Sequence, residues 1–172
     1  MFRAVTLIEL LVTLALVVIS FYFISPVLFR IQEHILITHE IDQIKTFVYQ
    51  VQSRARYSKK NYSFTISQQE QEKNWCIIAI EKIDNRQIIC DCLNISGCHI
   101  QTGYYLYQAS NNQLLLKNNS LYPKAFIDID GKSARLSPKC LEISSNSVRE
   151  ILQFDQNGVV NVVQDGKRSS CK

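Results

Sequence analysis

The structure of the amino-terminal part of the chain is indicated by one stretch, Ala4-Val5-Thr6-Leu7-Ile8-Glu9-Leu10-Leu11-Val12, which follows the basic residue Arg3. Between Val5 and Phe29, Glu9 is the only side chain that carries a charge at neutral pH. A helix of this length rises by more than the roughly 30 Å of a hydrocarbon core. The sequence therefore predicts a membrane-spanning helix over residues 5–29.

Two other kinds of amino-terminal segment fit part of this pattern. A secretory signal peptide has an apolar region of roughly 7–15 residues and a small-residue cleavage site, whereas this apolar stretch is longer and lacks that site. An uncleaved signal anchor remains open. Neither accounts for Glu9, because a carboxylate at the centre of a bilayer costs roughly 2.5–3.5 kcal/mol. If the bond after Ala4 is cut, the α-ammonium of Val5 can meet Glu9 of the same chain or of a neighbour.

The stretch from Ala4 to Val12 resembles the processing motif of type IV pilins and type II secretion pseudopilins. In that family the prepilin peptidase cuts ahead of a Phe-Thr-Leu-Ile-Glu run, and the chain departs from the usual Gly and Phe with Ala4 and Val5. The resemblance implies removal of a leader peptide at 1–4, cleavage between Ala4 and Val5, N-methylation of Val5, and roles for Thr6, Glu9 and Pro26 in assembly.

The predicted helix continues beyond the apolar segment, from about Thr6 to about Arg56. Pro26 is the twenty-second residue counted from Val5, where pilin helices commonly carry a proline, and it allows a kink by removing one hydrogen bond. Residues 30–60 form an amphipathic half, whose other faces carry Glu33, His39, Glu40, Asp42 and Lys45. One narrow stripe is predicted to pack on the rest of the protein: Ile37, Ile41, Ile44, Val48, Val51 and Ala55.

Residues 61–172 change from a helical to a two-fold apolar period, which is typical of antiparallel sheet. About eight to ten strands are predicted, among them Ser63–Ser67, Asn74–Ile80, Gln87–Cys92, Tyr104–Gln108, Gln113–Lys117, Phe126–Asp130, Cys140–Ser144, Glu150–Asp155 and Val159–Gln164. The expected fold class is α+β. Together with the resemblance this indicates a pilin fold, in which a long amino-terminal helix packs on an antiparallel β-sheet domain that contains disulfides.

Six cysteines follow the apolar segment, an even number that suits bridges in an oxidising compartment. The β-rich domain is therefore expected to be periplasmic. Fifteen pairings are open, and we predict Cys76–Cys90 across a hairpin at Asp84-Asn85, Cys92–Cys98, and Cys140–Cys171. Two alternatives are a zinc site built by Cys90, Cys92, Cys98 and His99, and a redox-active Cys90-Asp91-Cys92 pair. The spacing matches no common zinc pattern, and no metal is predicted.

Two basic clusters are candidates for contact with DNA. The first contains Tyr57 and Tyr62 among the cations Arg54, Arg56, Lys59 and Lys60. A solvated helix end is the simpler explanation of this cluster, because the helix dipole favours cations there. The second consists of Lys167, Arg168 and Lys172. It resembles the DNA-binding Gly-Arg-x-Arg ending of FimT-like competence pilins, although Lys167 and Ser170 depart from that ending.

The remaining sequence features limit the kinds of function that the chain can have. The chain lacks a nucleophile motif or a phosphate-binding glycine loop, so no enzyme activity and no cofactor are predicted, and a formal charge of +4 does not by itself demand nucleic acid. Asn74-Trp75-Cys76 and the Phe154–Gly158 hairpin resemble minor pilins of the GspH/FimT group.

This resemblance implies a minor pilin, anchored once in the inner membrane and then incorporated into a pilus, that helps to initiate type IV pilus assembly and supports DNA uptake. A type II secretion pseudopilin or a DNA-binding tip pilin is the alternative. The expected partners are the prepilin peptidase, other minor pilins, the major pilin, the inner membrane and DNA.

Overall fold

The computed structural model describes residues 6–69, 71, 73–84, 86–110, 112–146 and 148–164. It contains one long helix, α1, from Leu7 to Ser58. Thr6 caps its first turn, because the threonine hydroxyl accepts a hydrogen bond from the backbone N–H of Glu9 at 3.4 Å. Lys59 ends it in the left-handed conformation, with φ of 55°. The long helix predicted from about Thr6 to about Arg56 is confirmed.

The residues after the helix form two antiparallel sheets of four strands each. Their strands are β1 (Tyr62–Gln69), β2 (Asn74–Glu81), β3 (Tyr104–Gln108), β4 (Leu115–Lys117), β5 (Asp128–Ile129), β6 (Lys139–Ser144), β7 (Arg149–Phe154) and β8 (Val160–Gln164). The first sheet has the order β3-β2-β1-β5 and the second β4-β6-β7-β8. The described part of the chain therefore has the α+β class that the sequence predicts.

The second half of α1 packs against both sheets and forms the main core. Every residue of the predicted stripe from Ile37 to Ala55 is buried, so that prediction is confirmed. Phe47 extends the stripe and contacts the ring of Phe64 in β1 with centroids 5.9 Å apart. From the two sheets the core receives large apolar side chains that include Ile66, Trp75, Ile77, Leu141, Leu152 and Phe154.

The helix is also fixed by a buried carboxylate that the sequence analysis placed on an exposed face. Glu40 is only 2% exposed, and its two carboxylate oxygens accept hydrogen bonds from the hydroxyls of Tyr107 and Ser110, each at 2.7 Å. The backbone N–H of Ser110 donates a third, at 3.2 Å. Burial, followed by the hydrogen bond to Glu40, raises the pKa of Tyr107. The prediction that Glu40 is exposed is wrong, because β3 and its following turn supply three donors.

The connection between β2 and β3 differs from the predicted hairpin. No strand forms at Gln87–Cys92. The connection is irregular here, and a 3-10 turn follows at Ile95–Gly97. It covers the face of the first sheet opposite the helix, where Cys90 and Cys92 form a second small core with Cys76, Ile78 and Ile80. Because β2 is covered on both faces, the run from Trp75 to Ile80 is apolar at every position rather than alternating.

The disulfides in this connection correct two of the predicted pairings. Cys76 is bonded to Cys92 and Cys90 to Cys98, with Cα atoms 6.0 and 5.7 Å apart, so the predicted Cys76–Cys90 and Cys92–Cys98 bonds are wrong. The backbone N–H of Cys92 donates to the Ser67 hydroxyl at 3.3 Å, and Ser67 is the cross-strand partner of Cys76.

The third predicted bond is described at one of its two ends. Cys140 is disulfide-bonded. Cys171 lies outside the described residues.

The turn after β5 presses closely on the carboxyl end of the helix. A β-carbon on Gly131 would lie within about 2.6 Å of three backbone atoms of Lys60, which requires glycine there. The N–H of Gly131 donates to the side-chain oxygen of Asn61 at 2.8 Å. Gln52 ties the same region to the helix by donating from its amide nitrogen to the carbonyl oxygens of Ala134 and Gly158, each at 3.0 Å.

Replacing Glu40 tests the buried carboxylate. We expect Glu40→Ala to lower the free energy of unfolding by about 3 kcal/mol, because three partly buried donors lose their charged acceptor, and Tyr107→Phe to lower it by about 1 kcal/mol. Urea unfolding of the full-length protein in detergent should show that the double variant loses less than the sum of the two. Asp42→Ala, an exposed change on the same helix, should stay within about 0.5 kcal/mol of the parent. Strict additivity would contradict a direct interaction.

Gly131 offers a matched pair with Gly103, whose β-carbon would meet nothing within 4 Å. Gly131→Ala should destabilise the protein by about 1–3 kcal/mol, since backbone atoms that cannot rotate away must shift. Gly103→Ala should have a much smaller effect in the same unfolding measurement. Equal stability of the two variants would show that the turn does not pack against Lys60 as described.

Candidate functional site

The first half of α1 makes no contact with the sheets. Every residue from Thr6 to Gln32 is exposed, although most are apolar; Leu7 is 78% and Phe21 70% exposed. A soluble monomer rarely leaves so large an apolar surface uncovered. By length and composition α1 is able to cross a membrane. A signal sequence near the amino terminus has the same length and apolar composition. This half of the helix therefore requires an apolar environment that the fold does not supply.

Glu9 lies in the first turn of this uncovered half. Its position at the amino end of the helix is favourable, because a carboxylate there interacts with the helix dipole. No ion pair involving Glu9 forms within the described residues. Ala4 and Val5, the residues of the predicted cleavage site, lie outside the described residues. The structure thus leaves the Glu9 carboxylate on the helix surface without a cationic partner among the described residues.

Pro26 lies within α1, which remains one continuous helix through this position. Proline has no backbone N–H, so the carbonyl oxygen of Tyr22 loses its usual helical donor. Aromatic side chains surround the site on the helix surface: Tyr22 contacts Phe23 with ring centroids 5.7 Å apart, and Phe21 and Phe29 line the same depression. Pro26, which is predicted to act in assembly, therefore lies in a broad apolar and aromatic surface.

The predicted basic cluster at the end of α1 is only partly available. Arg54, Arg56, Tyr57 and Lys59 are exposed, with Tyr57 at 88%. Lys60 is instead paired with Glu81 at 2.7 Å, and this hydrogen bond raises the pKa of the lysine.

Tyr62, the other aromatic residue of the predicted cluster, begins β1. It is buried, at 4% exposed, and its ring contacts Tyr105. It therefore has no face open for stacking on a base.

The helix end borders a polar cleft of about 520 Å³. The cleft is lined by Gln52, Ser53, Arg56, Tyr57, Ser133, Ala134, Asn157 and Gly158. Three separate segments meet here: the last turns of α1, the turn after β5, and the turn between β7 and β8. The cleft thus combines a guanidinium group, an aromatic ring, hydroxyls and an amide, a set suited to a polar or anionic ligand.

The turn after β5 brings two cations that the sequence analysis missed. Lys132 and Arg135 are exposed and flank the cleft residues Ser133 and Ala134. Asp130 offsets part of this charge; its carboxylate accepts hydrogen bonds from the Ser133 hydroxyl and the Lys132 N–H, which keep the pKa of Asp130 below its usual value. The Asp130-Gly131 turn was visible in the sequence, but its contact with Lys60 was not.

The other predicted site residues are placed as follows. Lys167, Arg168 and Lys172 lie outside the described residues. The redox-active Cys90-Asp91-Cys92 pair is contradicted, because Cys90 and Cys92 are bonded to different partners. Both bonds also include cysteines of the alternative zinc set. A zinc site would need these cysteines as reduced thiolates.

Comparisons with known proteins give a relative but no function. The chain is similar to an uncharacterized protein of Haemophilus influenzae, with 26% identity over 170 residues that cover 98% of both chains. The likeness thus includes the apolar helix and the β-rich domain together. No family model matches the chain. No solved structure matches it either.

Proposed function

We propose that this chain is a minor pilin that is cut between Ala4 and Val5 by the prepilin peptidase and helps to initiate type IV pilus assembly. The observation that carries the proposal is the division of α1 into two halves. From Thr6 to Gln32 the helix is exposed and apolar, whereas the stripe from Ile37 to Ala55 is the core of a folded domain. A helix of this kind can anchor the domain in a membrane and later pack against the helices of other subunits.

Glu9 distinguishes an assembly helix from a simple membrane anchor. A carboxylate adds nothing to anchoring and is costly in lipid, so its presence calls for a partner charge. Cleavage before Val5 would create that charge, an α-ammonium four residues from Glu9. In a bundle of packed helices, an ammonium–carboxylate pair between neighbouring chains would set their axial register, because mispaired subunits would leave two charges buried in apolar surroundings.

The disulfide-containing domain supports a place outside the cytoplasm. Cys76–Cys92 and Cys90–Cys98 are bonds of a kind that persists in oxidising compartments. With the basic leader on the cytoplasmic side of the inner membrane, the domain would lie in the periplasm. The partners at this stage are the peptidase and the inner membrane, and in the fibre they are other minor pilins and the major pilin.

The Glu9→Leu variant tests this proposal in a strain deleted for the gene. Wild-type protein should restore surface pili, whereas Glu9→Leu should remain in the membrane fraction and restore at least tenfold fewer pili. Thr13→Leu is the matched control, because it makes the same polar-to-apolar change on the exposed half of the helix. If Glu9→Leu restores pili as well as Thr13→Leu does, Glu9 has no role in assembly.

A role in DNA uptake has its own supporting observation, the cleft at the carboxyl end of α1. Arg56 and the exposed ring of Tyr57 line the cleft, and the exposed cations Lys132 and Arg135 flank its residues Ser133 and Ala134 along the chain. Arginine and lysine contact phosphates, and an aromatic ring stacks on unpaired bases. A pseudopilin of a type II secretion system would share the helix and the cleavage site, but its function would not require cations and an aromatic ring at this cleft. These groups therefore support the proposal that the subunit belongs to a pilus that takes up DNA.

The double variant Arg56→Gln, Lys132→Gln tests DNA contact at the cleft. Fluorescence anisotropy with labelled duplex DNA and the full-length protein in detergent should show a Kd raised about tenfold. The slope of log K against log salt should fall by about 1.8, because two phosphate contacts are lost at roughly 0.9 each. Lys117→Gln, Lys124→Gln removes the same charge from exposed positions away from the cleft. Equal losses in both double variants would reduce the effect to net charge and contradict a site at the cleft.

A further inference from the structure

The two disulfides between β2 and β3 interlace along the chain. Cys76 is bonded to Cys92 and Cys90 to Cys98, so each bond joins two cysteines that have one cysteine of the other bond between them. Four cysteines allow three pairings, and this is the crossed one. The pairing of neighbours along the chain, Cys76–Cys90 with Cys92–Cys98, is the alternative that the sequence favours.

An unfolded chain has almost no basis for choosing between these two pairings. The native bond of Cys76 spans 16 residues, and the bond to Cys90 would span two fewer. Loop closure depends on length to the power of about three halves, so the two loops differ in probability by a factor of only about 1.2. For Cys98, whose native bond spans 8 residues and whose bond to Cys92 would again span two fewer, the factor is about 1.5. Oxidation of the unfolded chain therefore forms the native and the neighbour pairing in comparable amounts.

Only the folded domain selects the crossed pairing. Once β1 and β2 are paired, Cys76 projects towards the face that the connecting segment covers, and the Ser67 hydroxyl holds the backbone of Cys92 beside it. Cys76, Cys90 and Cys92 are then 1–3% exposed, whereas Cys98 remains partly exposed. A Cys76–Cys90 bond would put Cys90 instead of Cys92 beside Cys76 and prevent the small core from closing.

We propose that this chain is a substrate of a thiol–disulfide isomerase, which exchanges Cys90 and Cys92 as partners of Cys76. A catalytic thiolate attacks the sulfur of Cys98 in the neighbour-paired form and releases Cys92 as a thiolate. Cys92 attacks the sulfur of Cys76 and releases Cys90. Cys90 then attacks the sulfur of Cys98 in the mixed disulfide and releases the catalytic thiolate. Two disulfides exist before and after these steps, so no oxidant or reductant is consumed.

Cys98 is the sulfur through which the exchange can begin. It is the member of the four that remains partly exposed in the folded domain, and it follows the 3-10 turn at Ile95–Gly97 on the surface. Exchange requires that the attacking thiolate reach a disulfide sulfur, and Cys98 is accessible whether or not the small core has closed, because it is partly exposed even in the closed form. The inference does not depend on pilus assembly, since it follows from the pairing of the disulfides alone.

Refolding of the reduced, full-length protein in detergent tests the proposal. With an oxidant and no added thiol, mass-spectrometric mapping should find the neighbour pairing in roughly half to two thirds of the molecules bonded within these four cysteines. Addition of a catalytic amount of a protein disulfide isomerase with reduced glutathione should convert at least nine-tenths of them to the crossed pairing. Complete crossed pairing in the absence of any free thiol would overturn the proposal.

Two double variants separate exchange from a general folding defect. Cys90→Ser, Cys98→Ser leaves Cys76 and Cys92 as the sole pair among the four, so its yield of the Cys76–Cys92 bond should not change with isomerase. Cys92→Ser, Cys98→Ser can form only Cys76–Cys90 among these positions and should unfold at a lower urea concentration than the first variant. If the two variants are equally stable, the fold does not select the crossed pairing and the inference fails.

Discussion

The whole structure depends on the burial of one helical stripe, from Ile37 to Ala55, between two antiparallel sheets. The inner faces of β1 and β2 and those of β6 and β7 contribute side chains to one shared core, and this stripe runs through it. Burying a large aliphatic side chain contributes roughly 1.5–3 kcal/mol, and these residues are almost completely removed from water. The position of the domain on the helix is therefore as fixed as the core itself.

Polar contacts add direction to that apolar packing. Glu40 binds the end of β3, and Gln52 binds the turns after β5 and β7, so the helix is tied at two points separated by about three turns. Apolar side chains can slide past one another with modest losses, whereas a buried carboxylate that loses its donors costs considerably more. These contacts fix the rotation of the helix, and with it the direction in which Glu9 and the uncovered apolar half project.

The division of the helix also separates the roles that we propose for the chain. The uncovered half carries the assembly surface, the carboxyl end carries the basic cleft, and the disulfide-bonded connection covers the far side of the first sheet. These regions share few residues. A change in the cleft can therefore alter contact with a ligand without altering the packing of the amino-terminal helix.

The sequence by itself determined the long helix, its buried stripe, its exposed apolar half and the antiparallel character of the domain. These features depend on local periodicity, which the order of residues records directly. Tertiary structure alone decided that Glu40 is buried, that Lys60 is paired with Glu81, that Lys132 and Arg135 join the helix end, and that Cys76 is bonded to Cys92 rather than Cys90. Each of these depends on which segment lies across from which, and two cysteines only two residues apart are almost equivalent until the sheet beneath them has formed.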